Sequence, residues 1–301
     1  MTSRKLEDLI SKYHHIQVCS FDAGGGNVLA HLSKDFDIVS SFIVDGPALK
    51  IYSTLFPELH ILNRKTLDVE TDLLISSTGW QSSLEYETMA MALSRGIHVI
   101  AVLDHWVNYL DRFERQGKII NPTYFLAFDD TSENKINQEF GSPEILRTEN
   151  RYLARTLKEI RDLQTINNSH TYDFTFIGEP LSRSCESPNW SEYDAIQHFF
   201  VVLRIHGYVN SRIAIKPHPA EESSKYDFYI PNDFKNVEII YEENLSKILA
   251  QTESVVGCHS MALYIAELSG KSVYTALPTG VTPRVPLNIA RPLTKLGTKP
   301  K

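Results

Sequence analysis

Cysteine is scarce. The 301-residue chain has three, Cys19, Cys185 and Cys258, and no two of them form a C-x-x-C pair. That usage suggests neither a disulfide framework nor a zinc site. A basic excess is missing too: 30 Lys and Arg stand against 37 Asp and Glu, for a formal net charge of -7. This argues against general nucleic-acid binding, which usually shows clustered positive charge. A local basic pocket for a small anion is compatible with the total. No apolar run approaches the ~20 residues of a membrane-spanning helix. Residues Met1 to Tyr13 are charged and helical in pattern, without the apolar core of a signal peptide. The expectation is a cytoplasmic protein without an integral membrane segment. No repeat occurs at solenoid periods.

Hydrophobic residues make up 42% and charged residues 22% of the chain, a globular composition. The length allows one large domain or two ordinary ones. Short apolar runs alternate with longer amphipathic stretches, the signature of β-α-β units with a parallel sheet. Strands are expected at Ile16–Phe21, Asp37–Val44, Leu59–Leu62, Leu73–Ser76, Ile97–Leu103 and Tyr124–Phe128. Helices are expected at Asn27–Lys34, Pro47–Leu55 and Ser82–Arg95, where Ser82 and Glu85 fit a capping box. After the charged helix Arg151–Gln164 comes a polar stretch, and the alternation restarts at Tyr172. Two lobes follow, over 1–165 and 166–301, and the second ends in a proline-rich tail from Pro278 with little regular structure.

In open α/β sheets ligands gather at the C-terminal ends of strands, and four segments put polar or glycine residues there. Lys216-Pro217-His218-Pro219 ends a strand with a lysine and fixes a histidine between two prolines. Lys216 and His218 could both donate to a phosphate, or the segment is a rigid turn. Gly257-Cys258-His259-Ser260 opens a helix whose N-terminal N–H groups favour an anion, unless Ser260 serves only as a cap. Asp22-Ala23-Gly24-Gly25-Gly26 reads as a loop whose glycines let a ligand approach closely, or as a plain turn. It is not a G-x-G-x-x-G fingerprint. Asp104-His105-Trp106 offers an acid and an imidazole suited to general base chemistry, with Asp104 as a helix cap the alternative. Asp129-Asp130 reads best as a cap.

The second half resembles the nucleotide-binding lobe of glycosyltransferases with two Rossmann-like lobes facing a cleft, the GT-B architecture. Gly178-Glu179-Pro180, Lys216-Pro217-His218-Pro219 and Gly257-Cys258-His259-Ser260 occur in its order. Bacterial sialyltransferases and polysialyltransferases carry a His-Pro motif followed by a serine motif, and His218-Pro219 and Ser260 match them over roughly residues 172 to 277. The resemblance implies an inverting, metal-independent glycosyltransferase of bacterial polysaccharide biosynthesis with a CMP-sugar donor and a glycan or small-molecule acceptor. It implies no cofactor. The nucleotide's phosphate would be held by Lys216, His218, Pro219, His259, Ser260 and Gly178. His218 would act on the departing phosphate. Gly24, Gly25, Gly26 and His105 would line the acceptor side. Those families carry an acidic pair followed by glycine, whereas Thr131 follows Asp129-Asp130 here. Asp104, with Asp22 in reserve, is therefore the expected base. Related hydrolases and hydrolysing epimerases of nucleotide sugars share the plan. They, and a nucleotide-binding module without catalysis, remain the alternatives.

Overall fold

The structure is a computed structural model and describes residues 4–35, 41–57, 66–79, 82–166, 170–181, 190–218, 221–222, 224–241 and 244–299. The chain divides into two compact units, Met1–Ala154 and Arg155–Lys301. The sequence reading puts the division after residue 165; in the structure it falls inside a helix, Arg151–Ile166.

The first unit is built on a seven-stranded parallel sheet. Its elements are β1 (Arg4–Lys5), α1 (Leu6–Ile10), β2 (Ile16–Ser20), α2 (Ala23–Asp35), β3 (Ser41–Val44), α3 (Gly46–Leu55), β4 (Leu73–Ser77), α4 (Leu84–Ser94), β5 (His98–Val102), α5 (Tyr109–Phe113), the antiparallel hairpin β6 (Glu114–Arg115) and β7 (Lys118–Ile119), β8 (Tyr124–Ala127), α6 (Asp130–Phe140), β9 (Ile145–Arg147) and α7 (Arg151–Ile166). The sheet order is β1-β9-β8-β5-β4-β2-β3. Alternate strand residues feed two cores. Val18, Leu73, Ile75, Ile100 and Val102 pack on α1, α2 and α3, while Cys19, Leu74, Val99, Ala101 and Phe125 pack with Met89 of α4 and Phe113 of α5. Both faces of the sheet are covered, which is why its strands read as unbroken apolar runs.

The second unit carries β10 (Tyr172–Ile177), α8 (Glu192–Ile205), β11 (Ile213–Lys216), β12 (Val237–Ile239), α9 (Leu245–Ala250), β13 (Thr252–Gly257), α10 (Met261–Leu268), β14 (Ser272–Thr275) and β15 (Arg291–Pro292). Its six strands are all parallel, in the order β12-β11-β10-β13-β14-β15. Phe174 and Phe176 of β10 pack against Phe199, Phe200 and Leu203 of α8.

Two expectations are corrected. The glycines at 24–26 do not form a loop: α2 begins at Ala23 and includes them. Ser82 and Glu85 do not form a capping box. The Ser82 hydroxyl accepts the N–H of Leu84, and the Glu85 carboxylate turns away to the sheet edge. The tail from Pro278 holds little regular structure, only the two-residue β15 and one short turn of helix at Leu293–Lys295, but it buries Leu293 and Leu296 in the core of the second unit. The strand expected at Leu59–Leu62 lies outside the described residues.

Candidate functional site

In a doubly wound sheet the chain starts at an inner strand, builds outward, then returns and builds the other way. The loops part where the order reverses, and that opening is the usual ligand position. In the first unit the reversal lies between β2 and β4, and in the second between β10 and β13. Both openings collect the polar groups singled out in the sequence.

At the β2–β4 opening stand Asp22, just past β2, and Ser77-Thr78-Gly79, at the end of β4. Glu85 of α4 is buried, and its carboxylate accepts the N–H groups of Phe21 and Gly79, each at 3.1 Å, and the Ser77 hydroxyl at 2.7 Å. One side chain therefore ties the two diverging loops together. Burial pushes this carboxyl up to about 7, against the opposing pull of the Ser77 hydrogen bond. Asp22 is half-buried, and its carboxyl also lies above the usual range. Burial is the larger cause and the negative charge of Asp104 the second, while the Arg112 guanidinium opposes them. Gly79 leaves room for both acids: a Cβ there would run into the carboxylates of Asp22 and Glu85 and force them to move.

Asp104 ends its strand as expected but does not cap α5. Its carboxylate accepts the Arg112 Nη1 at 2.7 Å, and the same nitrogen donates to the Thr78 carbonyl at 2.7 Å. Arg112 thus bridges the ends of β4 and β5. His105 is half-buried, with its ring against Trp106. Trp106 is buried and donates its indole N–H to Asp129, the residue that caps α6 through a reciprocal pair with Ser132.

The three glycines divide in role. A Cβ on Gly25 would lie 2.6 Å from that of Ser77, and one on Gly26 would lie 2.9 Å from that of Ala48. Both are buried, and they let α2 pack closely on β4 and α3. Gly24 is exposed and faces the Asp104 carboxylate.

The β10–β13 opening is organised by a residue to which the sequence reading gave no role. Glu179 follows Gly178 at the end of β10. Its carboxylate accepts the N–H groups of Cys258 at 3.2 Å and His259 at 2.7 Å, just ahead of α10. Burial pushes it up to about 7, opposed by those N–H donors. The amides of Cys258 and His259, just ahead of the helix expected to meet a phosphate, are therefore occupied by a carboxylate of the chain itself. Ser260 caps α10, its hydroxyl accepting the N–H of Ala262. His259 is buried, and its Nδ1 accepts the N–H of Arg284 in the tail. Lys216 ends β11 half-buried, and His218 is exposed. Register pairs Lys216 with Ile177 of β10, so the loops bearing Glu179, His218 and Ser260 follow three adjacent strands at one edge. Gly178 packs against the protein: a Cβ there would lie 2.6 Å from the Tyr226 hydroxyl and 2.8 Å from the Glu221 carboxylate. Pro219 lies outside the described residues.

Among the described residues, no group of three or more His, Cys, Asp or Glu is arranged to hold a metal ion, and no helix is long and apolar enough to cross a membrane.

Two doubly wound parallel sheets, each with its polar residues at the point of reversal, define a two-domain α/β protein of the Rossmann-like kind. Solved structures have the same plan. The UDP-GlcNAc 2-epimerase from Neisseria meningitidis, crystallised with UDP-GlcNAc, matches with a TM-score of 0.63 over 87% of this chain and 82% of that one, at 12% identity. The UDP-GlcNAc 2-epimerase from Methanocaldococcus jannaschii, in complex with UDP-GlcNAc and UDP, gives 0.59 over 87% and 83%, also at 12% identity. The UDP-N-acetylglucosamine 2-epimerase from Rickettsia bellii gives 0.56 over 87% and 78%, at 9% identity. The chain has their fold, the GT-B architecture. No protein-family profile matches it, and no curated protein matches it by sequence.

Proposed function

We propose that this chain is an enzyme of nucleotide-activated sugars that transfers the sugar to an acceptor hydroxyl without a metal. The observation that carries this reading is that Lys216, His218 and Ser260 stand at or just past the C-terminal ends of β11 and β13, at the edge where the strand order of the second unit reverses. A cationic amine, an imidazole and a helix-capping hydroxyl at such an edge suit the phosphate of a nucleotide. Similarity in fold to enzymes crystallised with UDP-GlcNAc supports the substrate class. The His-Pro and serine motifs support a CMP-linked donor.

In this reading the acceptor hydroxyl loses its proton to a carboxylate of the first unit. Its oxygen then attacks the anomeric carbon as the bond to the phosphate oxygen breaks, inverting the centre. Lys216 and His218 take up the charge that develops on the departing phosphate. Asp22 is the better base. Its carboxyl is held above the usual range, whereas Asp104 is clamped by Arg112 and serves to set the charge around Asp22. Gly24 and His105 would border the acceptor.

A second reading is favoured by the fold neighbours that are epimerases and by Glu85, a second carboxyl of raised pKa at the β2–β4 opening. There water or ring chemistry replaces the acceptor, and the product is a free or epimerised sugar.

A thermal-shift panel of CMP, UDP and CDP tests the nucleotide site, because a ligand of the native state raises its apparent stability. At least one should raise Tm, and His218→Ala should remove the effect; no shift with any of them sinks the reading. Product analysis with CMP- and UDP-sugars, with and without acceptor, separates the two reactions. Acceptor-dependent turnover supports transfer, and stoichiometric sugar release without acceptor supports hydrolysis.

A further inference from the structure

Next to His218 lies a buried ionic cluster that the proposed chemistry does not use. The Glu221 side chain is 1% exposed. One of its oxygens accepts the Lys225 ammonium at 2.8 Å, and the other accepts the backbone N–H of His218 at 2.9 Å. The Tyr226 hydroxyl donates to both at 3.1 Å. In return, the Glu221 N–H donates to the His218 carbonyl at 2.9 Å. His218 and Glu221 thus close a small ring through both backbones and one carboxylate. Lys225 is held on its other side by Glu192 of α8, itself buried.

Burying a carboxylate is costly unless hydrogen bonds or a cation compensate it. A turn needing only rigidity would be served by a neutral side chain, and Pro217 already restricts the backbone on one side. Here two glutamates and a lysine are taken out of water and braced on α8, and among the described residues the backbone N–H that Glu221 takes belongs to His218. Gly178, whose amide donates to the Lys216 carbonyl, leaves the space the Glu221 carboxylate fills.

We propose that Glu221 is the positioning residue of the anion site: it fixes the His218 turn so that the imidazole is pre-set for a nucleotide phosphate. The inference rests on the phosphate-binding reading of His218 and goes beyond it by assigning the group that holds the histidine. Lys225 and Tyr226 act one step back, by holding Glu221. A glutamine at 221 cannot replace it, because its amide NH₂ would face a donor on one of the two sides.

The test is a double-mutant cycle read by calorimetry with CMP and with UDP, on the full chain and with Tm measured for each variant. His218→Gln and Glu221→Gln should each weaken binding of the preferred nucleotide about tenfold, the size of one charge-assisted hydrogen bond. The double variant should bind no more weakly than His218→Gln alone, because a residue that acts through another adds nothing once that other is gone. Should Glu221→Gln fail to fold, Tyr226→Phe removes a donor to the same carboxylate while keeping the packed ring, and it should weaken binding in the same direction. Wild-type affinity in Glu221→Gln, or full additivity in the double variant, overturns the proposal while leaving the nucleotide site standing. Wild-type protein that binds neither nucleotide overturns both.

Discussion

Glu179 and His259 lie 80 positions apart in the chain, and the carboxylate of the first takes the backbone N–H of the second at 2.7 Å. The first unit repeats the device with Glu85, which takes the N–H of Phe21 at a distance of 64 positions. In both units a buried glutamate ties together the loops that part at the strand reversal. Such an opening exposes backbone N–H groups with no strand to pair with. A carboxylate satisfies two of them at once.

This pairing makes stability depend on pH in a definite direction. Burial pushes both carboxyls from about 4.5 to about 7. Between those values the folded chain holds protons that the unfolded chain has released. Stability is therefore fully present below about 4.5 for these groups and falls as pH rises to about 7. Each group accounts for roughly 3 kcal/mol of that fall, since one pKa unit corresponds to ~1.4 kcal/mol. Glutamine mimics the protonated acid. Glu85→Gln and Glu179→Gln should each shrink the difference in unfolding free energy between about pH 5 and about pH 8 by a few kcal/mol. Urea unfolding at the two pH values measures it, and a difference unchanged from wild type in either variant rejects the assignment for that residue.

Alanine at the three glycines of α2 should give two different results. Alanine in place of glycine favours a helix by about 1 kcal/mol. At Gly25 and Gly26 the new Cβ would meet Ser77 and Ala48 inside contact distance, where neither can easily move. The net result there is a loss of roughly 1–3 kcal/mol from overpacking. At Gly24 the Cβ would press on the Asp104 carboxylate at an exposed edge. That variant should keep its thermal stability and lose activity as Asp104 is displaced from Arg112. Equal Tm losses at all three positions would contradict this division.

A buried acid ties down the stretch of tail just before β15. Glu267 of α10 is buried and accepts the N–H groups of Asn288 at 2.7 Å and of Ile289 and Ala290 at 3.0 Å. Glu267→Ala leaves three donors without their acceptor, at a cost of about 2–4 kcal/mol. The segment before β15 should then open locally, which limited proteolysis reads as early cleavage between residues 278 and 290. Cleavage at the wild-type rate would show that the tail is held elsewhere.

The alternation of apolar runs and amphipathic helices was enough to read two doubly wound sheets, because a parallel strand covered on both faces leaves an unmistakable apolar run. The placement of Lys216, His218 and Ser260 was legible for a related reason: each ends or closely follows a strand or opens a helix, so the fold brings them to one edge. The buried glutamates were not legible. Glu85 stands three residues after Ser82 and satisfies the capping-box spacing, but spacing does not say which way the carboxylate turns. Glu179 sits in a Gly-Glu-Pro turn that looks exposed, and its partners come from another strand. Nor does the sequence reveal the long-range partners Glu221 and Tyr226, which fill the space a Cβ at Gly178 would take.

The choice between Asp22 and Asp104 as base has a kinetic signature. A base works only when deprotonated, so kcat/KM on the donor identified by the nucleotide panel should rise with pH through the pKa of that residue. Asp22 lies above the usual carboxylate range through burial and the neighbouring charge of Asp104, with Arg112 opposing. Asp104→Asn removes the charge that raises it and leaves Arg112 uncompensated beside it. Both changes favour the ionised form of Asp22, so the acid limb must move to lower pH. Asp22→Asn should remove the limb and cost roughly 10²–10⁴-fold in rate, the usual worth of a positioned base. If Asp104 were the base, the losses would exchange: Asp104→Asn would abolish the limb, and Asp22→Asn would leave most of the rate.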